Sequence, residues 1–101
     1  MAVYWLSFRL AEDSTYSERY TALNQAIDAM CSQWWFDTSS FFVFESDLGI
    51  DQVAVNAKAA VNPSKGKDIV LIGMSEFKST RLIGVPDYEA IFGLMPFTKK
   101  V

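Results

Sequence analysis

Histidine is absent from this 101-residue chain, cysteine occurs once and proline three times, and each scarcity removes a class of chemistry. Without histidine the chain lacks the commonest general base and the commonest transition-metal ligand, so zinc sites and Ser-His triads are excluded. A lone Cys31 closes no internal disulfide, which fits a reducing compartment. It lies beside Met30 with no basic neighbour in sequence, and this predicts an inert thiol. The five glycines build no Walker or Rossmann loop: Pro63-Ser64-Lys65-Gly66-Lys67 holds one glycine and precedes a strand, not a helix. No apolar run reaches membrane-spanning length. The opening Met1-Ala2-Val3-Tyr4-Trp5-Leu6-Ser7-Phe8-Arg9 shows no basic leader and no small-residue cleavage site, so the expectation is a cytoplasmic protein without an export signal.

Positive charge is also short. The net charge is −3, which argues against broad attraction to nucleic acid or anionic membrane. Its distribution is uneven: residues 1–57 carry two basic and eight acidic side chains, whereas residues 58–81 carry five basic and two acidic. Lys58, Lys65, Lys67, Lys78 and Arg81 could therefore line a modest basic face and bind nucleic acid weakly, or stand as solvated lysines beside loops.

What the chain does have is apolar and aromatic content, at 50% and 15%. That is enough to bury one core without disulfide or metal, and a single domain over residues 1–101 is expected. Tyr4, Leu6, Phe8 and Leu10 alternate with Val3, Trp5, Ser7 and Arg9, the period of a strand with one core face. Thr15 and Glu18 have capping-box spacing. Tyr16, Tyr20, Leu23, Ile27 and Met30 then form one helical stripe. Residues 33–36 and 40–45 read as a hairpin around Asp37-Thr38-Ser39. A second helix runs from Ile50 through Val53, Ala54, Ala57 and Val61, and ends before Asn62-Pro63. Ile69 to Met74 suits a central strand, Thr80 to Val85 a short extra strand, and Pro86-Asp87 opens a last helix through Tyr88, Ile91, Phe92 and Met95.

The order is the split βαβ pattern, and the expected fold class is α+β: a ferredoxin-like βαββαβ sandwich with a short extra strand and a C-terminal helix. Right-handed crossovers would place both helices on one face of an antiparallel sheet. Trp5 and the Trp34-Trp35-Phe36 segment are the candidates to line the other face, where an exposed aromatic patch calls for a partner. Of Trp34 and Trp35, strand alternation puts one in the core and one at an interface.

Tyr4-Trp5-Leu6-Ser7-Phe8-Arg9-Leu10, the tyrosine-bearing first helix, Trp34-Trp35, the strand near residues 39–46 and Asp68-Ile69-Val70-Leu71-Ile72 together resemble the Cas2-like family of CRISPR-associated nucleases and their SinR-like and VapD-like relatives. The resemblance spans about three-quarters of the chain and consists mainly of pattern. It implies a homodimer packed sheet against sheet, with Thr80 to Val85 as a strand that completes the partner's sheet. Active members carry an aspartate at the end of the first strand, where Arg9 stands here. A guanidinium cannot ligate a metal, so no metal and no cofactor is expected. Arg9 either pairs with Glu12 or Asp13 or offers a forked donor to an anion or an acidic side chain. The resulting expectation is a non-catalytic homodimeric module that binds a protein partner, or nucleic acid weakly, through Trp5, Arg9, Trp34, Trp35, Lys65, Lys67 and Arg81. The alternative is a Cas2-like metal-dependent nuclease or a related toxin, with Glu12 and Asp13 taking over from the lost aspartate.

Overall fold

The computed structural model describes residues 2–36, 40–63, 68–74, 78–86 and 89–101, leaving aside the side chains of Ile91 and Leu94. Its elements are β1 (Ala2–Arg9), α1 (Tyr16–Met30), β2 (Cys31–Trp35), β3 (Phe41–Ser46), α2 (Ile50–Val61), β4 (Ile69–Met74), β5 (Thr80–Gly84), α3 (Ala90–Leu94) and β6 (Thr98–Lys100). The protein is of α+β class, with one six-stranded sheet in the order β2-β3-β1-β4-β5-β6. All neighbours are antiparallel except β5 and β6, which run parallel.

Alternation along the strands divides the sheet into two unlike faces. Tyr4, Leu6 and Phe8 of β1, Phe42 and Phe44 of β3, Val70 and Ile72 of β4 and Ile83 of β5 join Leu23, Ile27, Val53, Ala54, Ala57 and Val61 of the two long helices in one buried cluster. Each fully buried Val, Leu, Ile or Phe side chain among these contributes about 1.5–3 kcal/mol relative to exposure. Tyr4 stacks on Phe44 and Phe8 on Phe42, with centroids 5.6 and 5.4 Å apart, while the Tyr4 hydroxyl donates to the Leu48 carbonyl at 2.5 Å. Burial raises the pKa of that phenol.

Several boundaries differ from the sequence reading for local reasons. No side-chain cap comes from Thr15. Asp13 instead accepts from both the Thr15 amide (2.8 Å) and hydroxyl (2.6 Å), and Thr15 Oγ1 accepts from Arg19 Nε at 3.0 Å, so the expected capping box with Glu18 gives way to a turn built on Asp13. β2 begins at Cys31, directly after α1 and two residues earlier than the aromatic composition indicated; Ser46 Oγ ties this junction by donating to the Met30 carbonyl at 2.6 Å. Asn62 in the left-handed region ends α2, its amide bonded to Lys58 O at 2.8 Å. Gly84 also has positive φ, and a Cβ there would run into the backbone carbonyl of Asp68.

β6 lies outside the sequence reading, because Thr98-Lys99-Lys100 has no apolar alternation. It is held by its register on β5 and by the Val101 amide on Leu82 O at 2.9 Å. The expected turn at Asp37-Thr38-Ser39, most of the Pro63-to-Lys67 loop and the helix opening at Asp87 and Tyr88 lie outside the described residues.

Candidate binding surface

The sheet face turned away from α1 and α2 carries Val3, Trp5, Ser7 and Arg9 of β1, Phe41, Val43 and Glu45 of β3, Ile69, Leu71 and Gly73 of β4, and Gln33 and Trp35 of β2. The register places Trp35, Val43, Trp5 and Gly73 side by side across four strands. Trp5 is half-buried because it lies over Gly73: a Cβ on that glycine would overlap the indole ring. The glycine thus acts as a seat that lays Trp5 along the sheet.

α3 reaches the same face at its far end. Lys100 is opposite Leu82, and its Nζ lies 5.1 Å from the centre of the Phe92 ring. Leu82 and Thr80 are buried there, although neither belongs to the main core cluster. The less covered part of the face is therefore its β2-β3-β1 side.

Trp34 and Trp35 separate as alternation requires. Trp34 turns to the helix side, tilted against Phe42 at 5.6 Å and Phe36 at 4.7 Å, and packs on the core; Trp35 is 45% exposed on the open side. Trp34 is thus partly buried against the core while it also borders the edge groove. Val3, Gln33, Trp34, Trp35, Val43 and Glu45 line a groove of about 300 Å3 along this edge. Ser32 Oγ donates to Glu45 at 3.1 Å.

Arg9 is exposed at the end of β1, opposite Ile69, on the open face. Asp13, one of its two expected acidic neighbours, is engaged by Thr15. Those hydrogen bonds, the one from the hydroxyl above all, lower the pKa of Asp13. Glu12 is exposed. Among the described residues no group of three or more His, Cys, Asp or Glu converges as metal ligands.

Arg81 does not contribute to an exposed basic face. It is buried, donates from Nε to Asp51 at 2.6 Å and from Nη1 to the Thr80 carbonyl at 3.1 Å, and lowers the pKa of Asp51 by hydrogen bond and charge. Lys58 and Lys78 are exposed, while Lys65 and Lys67 lie outside the described residues.

The sequence reading overlooked Arg19 and Asp68. Arg19, on the apolar-striped helix, is buried; its Nη1 sits 2.8 Å from Asp68 Oδ2, and its Nη2 donates to Ala11 O at 3.3 Å. Asp68 Oδ1 in turn accepts the Ala11 amide at 2.7 Å. The only signal for this was an arginine at position i+3 from the apolar Tyr16, inside the stripe rather than opposite it. Cys31 is half-buried, with its thiol pKa pushed up by burial and then by Asp28, so the thiolate nucleophile is disfavoured.

No protein-family model matches this chain, and no curated protein or solved structure is significantly similar to it. Among the described residues no helix is long and apolar enough to cross a membrane. The class defined by the fold is that of α+β proteins whose single sheet has its two long helices on one face and, on the other, an aromatic surface that is only partly covered.

Proposed function

We propose that this chain is a non-catalytic binding module, ferredoxin-like in its βαββαβ frame and akin to the Cas2-like and SinR-like proteins, that works as a homodimer joined through its open sheet faces. The observation that carries this reading is the row formed by Trp5 and Val43 on that face, flanked by Val3, Phe41, Ile69 and Leu71. Such a contiguous apolar strip, with both long helices on the opposite side, is what sheet-on-sheet association covers.

The family resemblance had the Thr80–Val85 strand completing a partner's sheet. Because β5 pairs with β4 and β6 of its own chain, the dimer proposed here relies on the face alone. Arg9 supports the non-catalytic reading, since two such guanidinium groups near a two-fold axis repel a divalent cation.

Light scattering across a concentration series tests the proposal. The expected result is twice the chain mass at micromolar protein, with Trp5→Glu shifting the equilibrium to monomer by roughly a few kcal/mol, the penalty for an unpaired carboxylate in an apolar interface. A wild-type chain that stays monomeric up to its solubility limit overturns the dimer. Magnesium- or manganese-dependent cleavage of DNA or RNA that vanishes in a Glu12→Ala, Asp13→Ala variant overturns the non-catalytic reading and favours the nuclease.

A further inference from the structure

The sheet ends in two edges of opposite character. β6 is three residues long and two of them are lysines, features that keep an edge strand from pairing with another chain. β2 is also short beyond its register shift, but it lacks the lysines. After the register shift between Cys31 and Gln33, its remaining residues Gln33, Trp34 and Trp35 bring neither charge nor proline, and the chain continues into Phe36, which is 53% exposed. An edge strand points half of its backbone N–H and C=O groups away from the sheet, and on the open face beside this edge lies the groove that β2 shares with β3 and β1, with Trp35 and Glu45 in its lining.

Charge selects the kind of chain that fits. Between Arg19 and Lys58 the sequence holds no lysine or arginine and five acids, Asp28, Asp37, Glu45, Asp47 and Asp51. Asp51 pairs with Arg81 at β5, away from β2, but β2, β3 and the part of α1 after Arg19 bring Asp28 and Glu45 and no lysine or arginine. Exposed tryptophan alone would also suit a nucleobase, but the charged side chain lining this groove is the Glu45 carboxylate, which repels a phosphate. A second copy brought edge to edge through β2 meets its own negative charge.

We propose that the β2 edge captures a basic, extended segment of a partner protein as an added strand, with a lysine or arginine of that segment lying in the groove between Trp35 and Glu45. Main-chain hydrogen bonds to β2 hold the segment, and alternate side chains read the groove. The cation gains the Trp35 ring face and a charge-assisted bond to the Glu45 carboxylate. The inference deepens the binding reading and needs no dimer, because β2 lies at the rim of the sheet.

The test uses a short fluorescein-labelled peptide of alternating lysine and valine, its glutamate-for-lysine counterpart as control, and anisotropy at low ionic strength. The lysine peptide is expected to bind about tenfold or more tighter than the glutamate peptide, a gap of the size one charge-assisted contact supplies, and to weaken as salt is added. Glu45→Lys and, separately, Trp35→Lys should each lower its affinity by about tenfold or more, with far-UV circular dichroism unchanged. Absence of binding, equal binding of both peptides, or wild-type affinity in both variants overturns the proposal. Self-association lost in Trp35→Lys but kept in Trp5→Glu also overturns it, by giving the edge to a second copy. A wild-type chain that is monomeric in light scattering yet binds the lysine peptide would remove the dimer and leave this inference standing.

Discussion

Arg19 and Arg81 are both buried guanidinium groups beside an aspartate, yet the two pairs sit in different dielectric surroundings. The side chain of Asp68, opposite Arg19, is 0% exposed, whereas that of Asp51, opposite Arg81, is 82% exposed. Around Arg19 both charges have left water, and Asp68 is also bonded to the Ala11 amide, so one carboxylate joins the end of β1, the helix α1 and the entry to β4. Around Arg81 the carboxylate stays hydrated and only tethers the first turn of α2 to β5. The same pair of functional groups is thus a structural joint in one place and a tether in the other, and what separates them is the burial of the acid.

Asp68→Ala is the most direct way to break this comparison. Removing Asp68 leaves the buried Arg19 guanidinium with only the more distant, partly exposed Asp13 carboxylate at 3.8 Å, and the expected loss is up to about 3–5 kcal/mol of folding stability, measured by urea denaturation. Asp68→Asn keeps an acceptor for Ala11 and should lose less. A loss within the roughly 0.5 kcal/mol typical of surface substitutions would mean that the two pairs are alike after all.

The comparison also explains what could be read from the sequence. Period-two alternation in β1, the unbroken apolar run of β4 and the 4-3-4-3 stripe of α1 were legible because burial of apolar surface is a repeated signal, and the observed ranges of α1, α2 and β4 agree with it. Side-chain exposure of single arginines was not. Arg81 in Ser-Thr-Arg-Leu reads as a surface cation until β5 places it under α2, and Arg19 pairs with Asp68, which is far away in sequence. The seat that Gly73 makes for the Trp5 ring was not legible either, because nothing local in the sequence links the two residues. The β2 edge escaped notice for a similar reason: edge position is a property of the whole sheet order, and no local pattern announces it.

The smaller effect, and the sharper test of the comparison, lies in the pH dependence of the Arg81 tether. The hydrogen bond and charge of Arg81 hold the Asp51 pKa below its ordinary value of 3.8. A carboxylate whose folded-state pKa is depressed adds stability that is fully present above its unfolded pKa, and that stability is lost as pH falls through the folded value. Arg81 stays charged throughout, so the change belongs to Asp51 alone. Asp51→Asn should therefore be less stable than wild type at neutral pH, by less than Asp68→Asn is, since solvent screens an exposed carboxylate. The gap between wild type and Asp51→Asn should hold constant down to about pH 5 and shrink below about pH 4, around the unfolded carboxylate pKa. Asp13, lowered chiefly by its bond from the Thr15 hydroxyl, titrates in the same window, so an Asp13→Asn background isolates the Asp51 contribution. Urea midpoints at neutral pH and near pH 3 give the answer: a gap unchanged at the lower pH would show that the charge on Asp51 contributes nothing to holding α2 against β5.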